Sequence, residues 1–194
     1  MKYNRALTLQ AMLFVVLALT FPPGLRAWQA QQNEGQQAVK EEPETEADQA
    51  KQGGIEAKAC GPTEHKFSVR TDKNQHPTPE PPSDKALVYV IRPTMTGHTI
   101  QTKLGVDGQW VGANRGNNYF FLTLEPGEHY FCSQAENRSA VALKVEPGKA
   151  YYLQQKMRMG FIIIARTKLA VLDEAEGKKG LAKCHLSLWE EKGK

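Results

Sequence analysis

The chain has 194 residues, 25 Lys and Arg against 21 Asp and Glu, a formal net charge of +4, and three cysteines. The cationic excess is mild and scattered along the chain, so no nucleic-acid partner is expected. Setting aside a targeting segment and an apolar-poor stretch leaves roughly 110–130 residues, enough for one sandwich or barrel.

The N-terminus carries the strongest local signal. Lys2 and Arg5 precede residues 6–21, which are apolar apart from Thr8, Gln10 and Thr20. Pro22, Pro23 and Gly24 then break the run. A basic start, a short apolar stretch, a breaker and a small residue are the parts of a secretory signal peptide, assigned to residues 1–27. Leu25 and Ala27 suit the −3 and −1 positions, so cleavage is expected after Ala27. Ala30 is the alternative, with Trp28 at −3. The competing reading is an uncleaved anchor, but the apolar run is shorter than the ~20 residues a span requires. No second run of that length occurs, so the mature chain is expected to lack a transmembrane helix. A periplasmic or secreted location follows.

Residues 28–58 hold seven acidic residues against three basic ones and are rich in Gln, Glu and Ala. With little to bury, this stretch reads as a disordered linker with at most transient helix. Residues 59–84 read as an extended strap. They include a short alternating piece (HKFSVR) and then QHPTPEPPS, whose prolines exclude helix and central strand. The domain proper is placed at 85–188, with a charged tail at 189–194.

Within the domain, residues 86–91 (ALVYVI) make a strand candidate stopped at Arg92 and Pro93. Residues 99–106 and 109–113 alternate around Asp107-Gly108, the dipeptide of a tight hairpin turn. Residues 119–124 (YFFLTL) and 128–133 (EHYFCS) flank the turn Glu125-Pro126-Gly127. Residues 140–145 lead to a second such turn, Glu146-Pro147-Gly148. Residues 150–157 and 161–172 supply further strands, with Gly160 as a bend and 161–165 as a core strand. Only 173–184 reads as a helix, with acids leading and bases trailing as the helix dipole prefers. Turn signals recurring roughly every 8–12 residues indicate an all-β, antiparallel β-sandwich of about 7–9 strands with a short C-terminal helix.

Several of these pieces, taken in order, resemble a bacterial family known as domain of unknown function 2846. They are KALVYVIRP, VDGQWVG, LEPGEHYF, VEPGKAYYL, MGFIIIARTKLAVLD and EAEGKKGLAKC, and the resemblance covers roughly residues 60–188. The hairpin and EPG pieces also look like the Ig/PEGA-like type of surface β-module. The resemblance implies an exported or envelope-attached β-sandwich and carries no established activity or catalytic residues. Many relatives are lipoproteins; this chain lacks a Cys at the expected cleavage point.

Candidate chemistry is sparse. One bridge can form among Cys60, Cys132 and Cys184. Cys60–Cys132 would pin the strap to a strand, and Cys60–Cys184 would join the ends of the domain. No CxxC or Cys/His cluster suggests a metal or redox centre. The five histidines show no ligand spacing. No GxSxG, P-loop or dinucleotide fingerprint occurs. No cofactor is expected and catalysis is not. The aromatic residues of the strands are the remaining feature, and Trp110, Tyr119 and Phe121 form a possible binding patch. The expectation is a non-catalytic binding or structural module whose partner is an unknown envelope protein or glycan. The alternative is an enzyme or inhibitor acting through surface loops.

Overall fold

The computed structural model describes residues 46–62, 65–159 and 165–192, with backbone only over 46–50. The leader with its cleavage after Ala27 or Ala30, the first part of the linker, Gly160 and the run 161–164 lie outside the described residues. The described residues belong to one compact unit.

The elements in chain order are α1 (Glu46–Ala59), β1 (Phe67–Asp72), β2 (Ala86–Arg92), β3 (Thr102–Val106) and β4 (Gln109–Asn114). There follow β5 (Asn118–Leu124), β6 (Gly127–Gln134), β7 (Arg138–Val145) and β8 (Ala150–Met159). The chain ends with β9 (Ala165–Leu172), α2 (Glu174–Leu181) and β10 (His185–Glu191). A six-stranded sheet runs β1-β10-β5-β2-β8-β9 and a four-stranded sheet runs β4-β3-β6-β7. The fold is an all-β sandwich with a short C-terminal helix. Its pairing is antiparallel except at β10–β5 and β2–β8, which are parallel.

The local signals explain the elements. Asp107 and Gly108 take φ of 50° and 82°, both left-handed, as a two-residue hairpin requires. Strand β2 is buried along its whole length, with Val88 and Val90 facing the inter-sheet core and Leu87, Tyr89 and Ile91 facing outward under further layers. Between the sheets, these valines meet Leu104, Phe120, Phe131 and Leu153.

Beside this apolar core runs a buried polar band. Gln155, fully buried, accepts from Thr102 Oγ1 at 2.9 Å and Asn114 Nδ2 at 3.2 Å. Its amide donates to the Lys103 carbonyl and to Ser133 Oγ, which in turn lies 2.7 Å from Thr167 Oγ1. Every polar atom of Gln155 is thus paired, the condition for burying an amide without a large desolvation penalty. Arg92, also fully buried, ends β2 by donating to the carbonyls of Thr96, Gly97 and Ile100, and so shapes the following loop. Burial pulls its pKa down to about 10, still well above neutrality.

Three expected boundaries are corrected. The linker is not disordered throughout: residues 46–59 form α1, which packs on β6 and β7. Among the described side chains Ile55 and Ala59 supply its apolar contact, with Gln52 donating to the Ala140 carbonyl at 3.0 Å, so composition alone does not reveal it. The strap contains a true strand, β1. The first half of the charged tail, residues 189–191, belongs to β10, whose backbone pairs with β1 from Phe67–Glu191 to Asp72–Leu186. Ladder hydrogen bonds are indifferent to side-chain charge, and Glu190 meets Arg70 across the pair at 3.3 Å. The sandwich therefore runs from Phe67 to Glu191.

Both outer faces of the sandwich are covered. Helix α1 and the turn after it lie over the four-stranded sheet. The proline-rich strap and α2 lie over the six-stranded one.

Candidate functional site

The expected aromatic patch does not exist as a surface. Trp110 is only 6% exposed, its indole Nε1 donates to the Pro62 carbonyl at 2.6 Å, and Lys103 Nζ sits 4.5 Å from the ring centre. Tyr119 is fully buried on the other side of the sandwich, and Phe121 is half-buried beside Tyr89. Alternation did send these rings outward from their sheets. The covering layers, which alternation does not reveal, then buried them.

Cys60 and Cys132 form a disulfide with Cα atoms 5.1 Å apart, tying the end of α1 to β6. Cys184 is a buried free thiol that donates to the Gly180 carbonyl at 3.4 Å. Burial pushes its pKa up to about 12, so it stays protonated and unreactive near neutral pH.

A groove of about 670 Å³ opens on the six-stranded side. Its wall on one side is the strap, including Thr78, Pro79 and Glu80, and on the other α2, with Glu174 and Lys178. Its floor is Tyr89 and Tyr152, stacked with centroids 5.3 Å apart and planes 10° from parallel. Parallel pairing of β2 with β8 places these two tyrosines directly opposite each other.

The strap is held by tyrosine hydroxyls. Tyr89 donates to the Pro79 carbonyl at 2.8 Å and Tyr119 to the Pro77 carbonyl at 2.9 Å, while the His76 ring leans on Tyr119. Proline suits this role, because its fixed φ keeps the segment extended and leaves carbonyls to be read. The two glycines of α2, which weaken it as an isolated helix, are what let it lie against the sheet. A Cβ on Gly177 would come within 2.6 Å of Tyr152 Cβ, and one on Gly180 within 2.6 Å of Ile91 Cδ1. Asp173 caps the helix by accepting from the Glu176 amide at 2.8 Å.

The electrostatics of the groove are set by burial. Burial pushes the phenols of Tyr89 and Tyr119 up to about 12, and raises that of Tyr152. They remain neutral donors near neutral pH. Lys178 and Glu174 pair at 2.6 Å on the rim. Among the described residues no group of three or more His, Cys, Asp or Glu could hold a metal ion, and no helix is long and apolar enough to cross a membrane.

Sequence reasoning did not single out Tyr89, Tyr152 or the strap carbonyls. The signals were present: a tyrosine inside the otherwise aliphatic ALVYVI, and glycines three apart on one helix.

Comparison with known proteins gives a family likeness over part of the chain and no activity. A protein of Haemophilus influenzae described as "Uncharacterized protein" is 26% identical over 109 residues, which is 56% of this chain. The match spans 64% of that relative's length. The model of the family described as "Protein of unknown function (DUF2846)" matches residues 82–167, from the approach to β2 into β9. Those residues, which supply the central strands of both sheets and both floor tyrosines, are similar to the DUF2846 family.

Proposed function

We propose that the protein is an exported, non-catalytic binding or structural module of the cell envelope, and that the groove between strap and α2 is its contact surface. The groove itself carries this reading: an open trough about 670 Å³ in volume, with a rigid aromatic floor and a mixed-charge rim of Glu80, Lys149, Glu174 and Lys178. Such a surface suits a protein segment or a glycan, which can stack on rings and hydrogen-bond to the rim. Export is supported by the Cys60–Cys132 disulfide, a bond that persists in oxidising compartments, together with the leader-like N-terminus. The neutral, strap-bound tyrosine hydroxyls support contact rather than catalysis.

Two measurements test the reading. N-terminal sequencing of the chain from envelope and culture fractions is expected to begin at Trp28. A chain found only in the cytoplasm with free thiols at Cys60 and Cys132 overturns export. A photo-crosslinking residue placed at Lys149 is expected to capture a discrete partner in cells, whereas one at exposed Arg70 captures none. Equal labelling, or none at Lys149, overturns the groove as contact surface.

A further inference from the structure

The two ends of the sandwich treat charge in opposite ways. At the end bearing the Asp-Gly and Glu-Pro-Gly turns, acids are paired: Lys85 with Glu125 at 2.7 Å, Lys149 with Glu146 at 2.5 Å, His129 with Asp107 at 2.6 Å. At the other end, where β2 and β8 finish, cations face cations. The register of β8 and β9 sets Lys156 directly opposite Lys168 and Arg158 directly opposite Arg166. All four are exposed, on the outer face that also carries Tyr152 and Gln154. Like charges directly opposite on a sheet are destabilising, so folding does not account for Lys156 facing Lys168.

The cationic surface continues onto α2. Lys179 and Lys183 border, with Lys156, a shallow recess in which Glu176 is the one acid. Lys156, Arg166, Lys168, Lys179 and Lys183 form no ion pair among the described residues. Two exposed methionines stand at the same end. Met95 is 57% and Met159 41% exposed, and the Met159 sulfur lies beside Gly97 in the loop that carries Met95.

We propose that the outer face of the paired strands β8 and β9, with the flank of α2, docks on an anionic lipid surface. The cations are spread over a sheet face and an adjoining helix and do not converge on a deep pocket. That layout fits a planar array of phosphate headgroups better than a single ligand. The attraction of clustered cations to such headgroups is the electrostatic part of interfacial binding. The inference is independent of the groove, which lies under the strap.

The test uses the full chain with vesicles of phosphatidylcholine alone and of phosphatidylcholine mixed equally with phosphatidylglycerol. Any contribution of the apolar N-terminal run is common to both and to every variant. Retention is expected to rise on the anionic vesicles and to fall with added salt. The double variant Arg166→Glu, Lys168→Glu is expected to bind at least about 25-fold more weakly, at about fivefold for each lost cation. Its melting temperature is expected to hold or rise, because each glutamate then faces a cation. Arg166→Gln with Lys168→Gln, which removes charge without reversing it, is expected to lose part of the binding. Equal retention on both vesicles, or undiminished binding by the double variant, overturns the proposal. So does displacement by millimolar inorganic phosphate, which would assign the cations to a phosphate in the recess. A fall in melting temperature without any vesicle binding also overturns it, and would give these cations a role in folding.

Discussion

The two outer faces of the sandwich are covered by different means. Over the four-stranded sheet, α1 contributes little apolar area, chiefly Ile55 and Ala59, and is stapled by Cys60–Cys132. Over the six-stranded sheet, the strap and α2 are held by two tyrosine hydrogen bonds, a helix cap and close glycine contacts. A covalent cross-link closing a loop of this length contributes about 4 kcal/mol by restricting the unfolded chain. A net hydrogen bond contributes about 1 kcal/mol. The non-covalent cover is therefore the one that can open locally without unfolding the sandwich, and it is the one with the groove beneath it.

Four changes would break or sharpen this contrast. Cys60→Ser is expected to lower stability by about 2–5 kcal/mol, read as a drop in denaturant midpoint. Hydrogen exchange should quicken in α1 while the strap side keeps its protection. An unchanged midpoint would remove the stapled cover from the argument. On the other face, Gly177→Val forces a branched side chain against Tyr152 and is expected to cost about 1–3 kcal/mol. Loss of helical signal and faster exchange in α2, with α1 unaffected, would be its signature.

Tyr89→Phe removes one strap bond and is expected to cost about 0.5–1.5 kcal/mol. Proteolysis within residues 75–83 should speed up more than global stability falls. The smallest effect concerns His129, which bonds Asp107 through Nδ1 at 2.6 Å and the Glu125 carbonyl through Nε2 at 2.8 Å. Both partners accept, which suits the imidazolium. Burial lowers its pKa, but the bonds to Asp107 and the Glu125 carbonyl together outweigh burial and raise it above 6.5. A raised folded-state pKa means the stabilisation is complete below pH 6.5 and is lost as pH climbs through the higher folded value. It amounts to at most about 1 kcal/mol for a partly exposed pair. His129→Gln should flatten that slope, and a slope that survives would place the titration elsewhere.

Much of the sandwich was legible because its signals are local. The Asp107-Gly108 turn needs two left-handed residues, and only a hairpin uses that pair in this way. The Glu-Pro-Gly turns and the run around Val88 and Val90 likewise declare their neighbours. The missed features depend on distant partners. The second half of β10 reads as a charged tail until β1, more than a hundred residues earlier, supplies its ladder. Helix α1 reads as solvated linker because its anchor, Cys132, lies 72 residues from Cys60. The groove was invisible for the same reason: its two floor tyrosines come from β2 and β8, and nothing local to either announces the parallel pairing. Trp110 and Tyr119 misled because a sequence shows which way a strand residue points but not what is laid over it.

The pairing of β1 with β10 has a consequence for timing. The first strand of the sandwich finds its neighbour only when the last strand has been made, and β10 also completes the open edge of β5. Such long-range closure is slow. The disulfide, by contrast, needs nothing beyond Cys132. A chain interrupted before residue 185 can thus be cross-linked while β1 and the edge of β5 still offer unpaired backbone, a template for association with other chains. Cys184 lies at the junction: until β10 docks it lacks the burial that silences its thiol, and the same event that closes the sheet also withdraws this thiol from exchange.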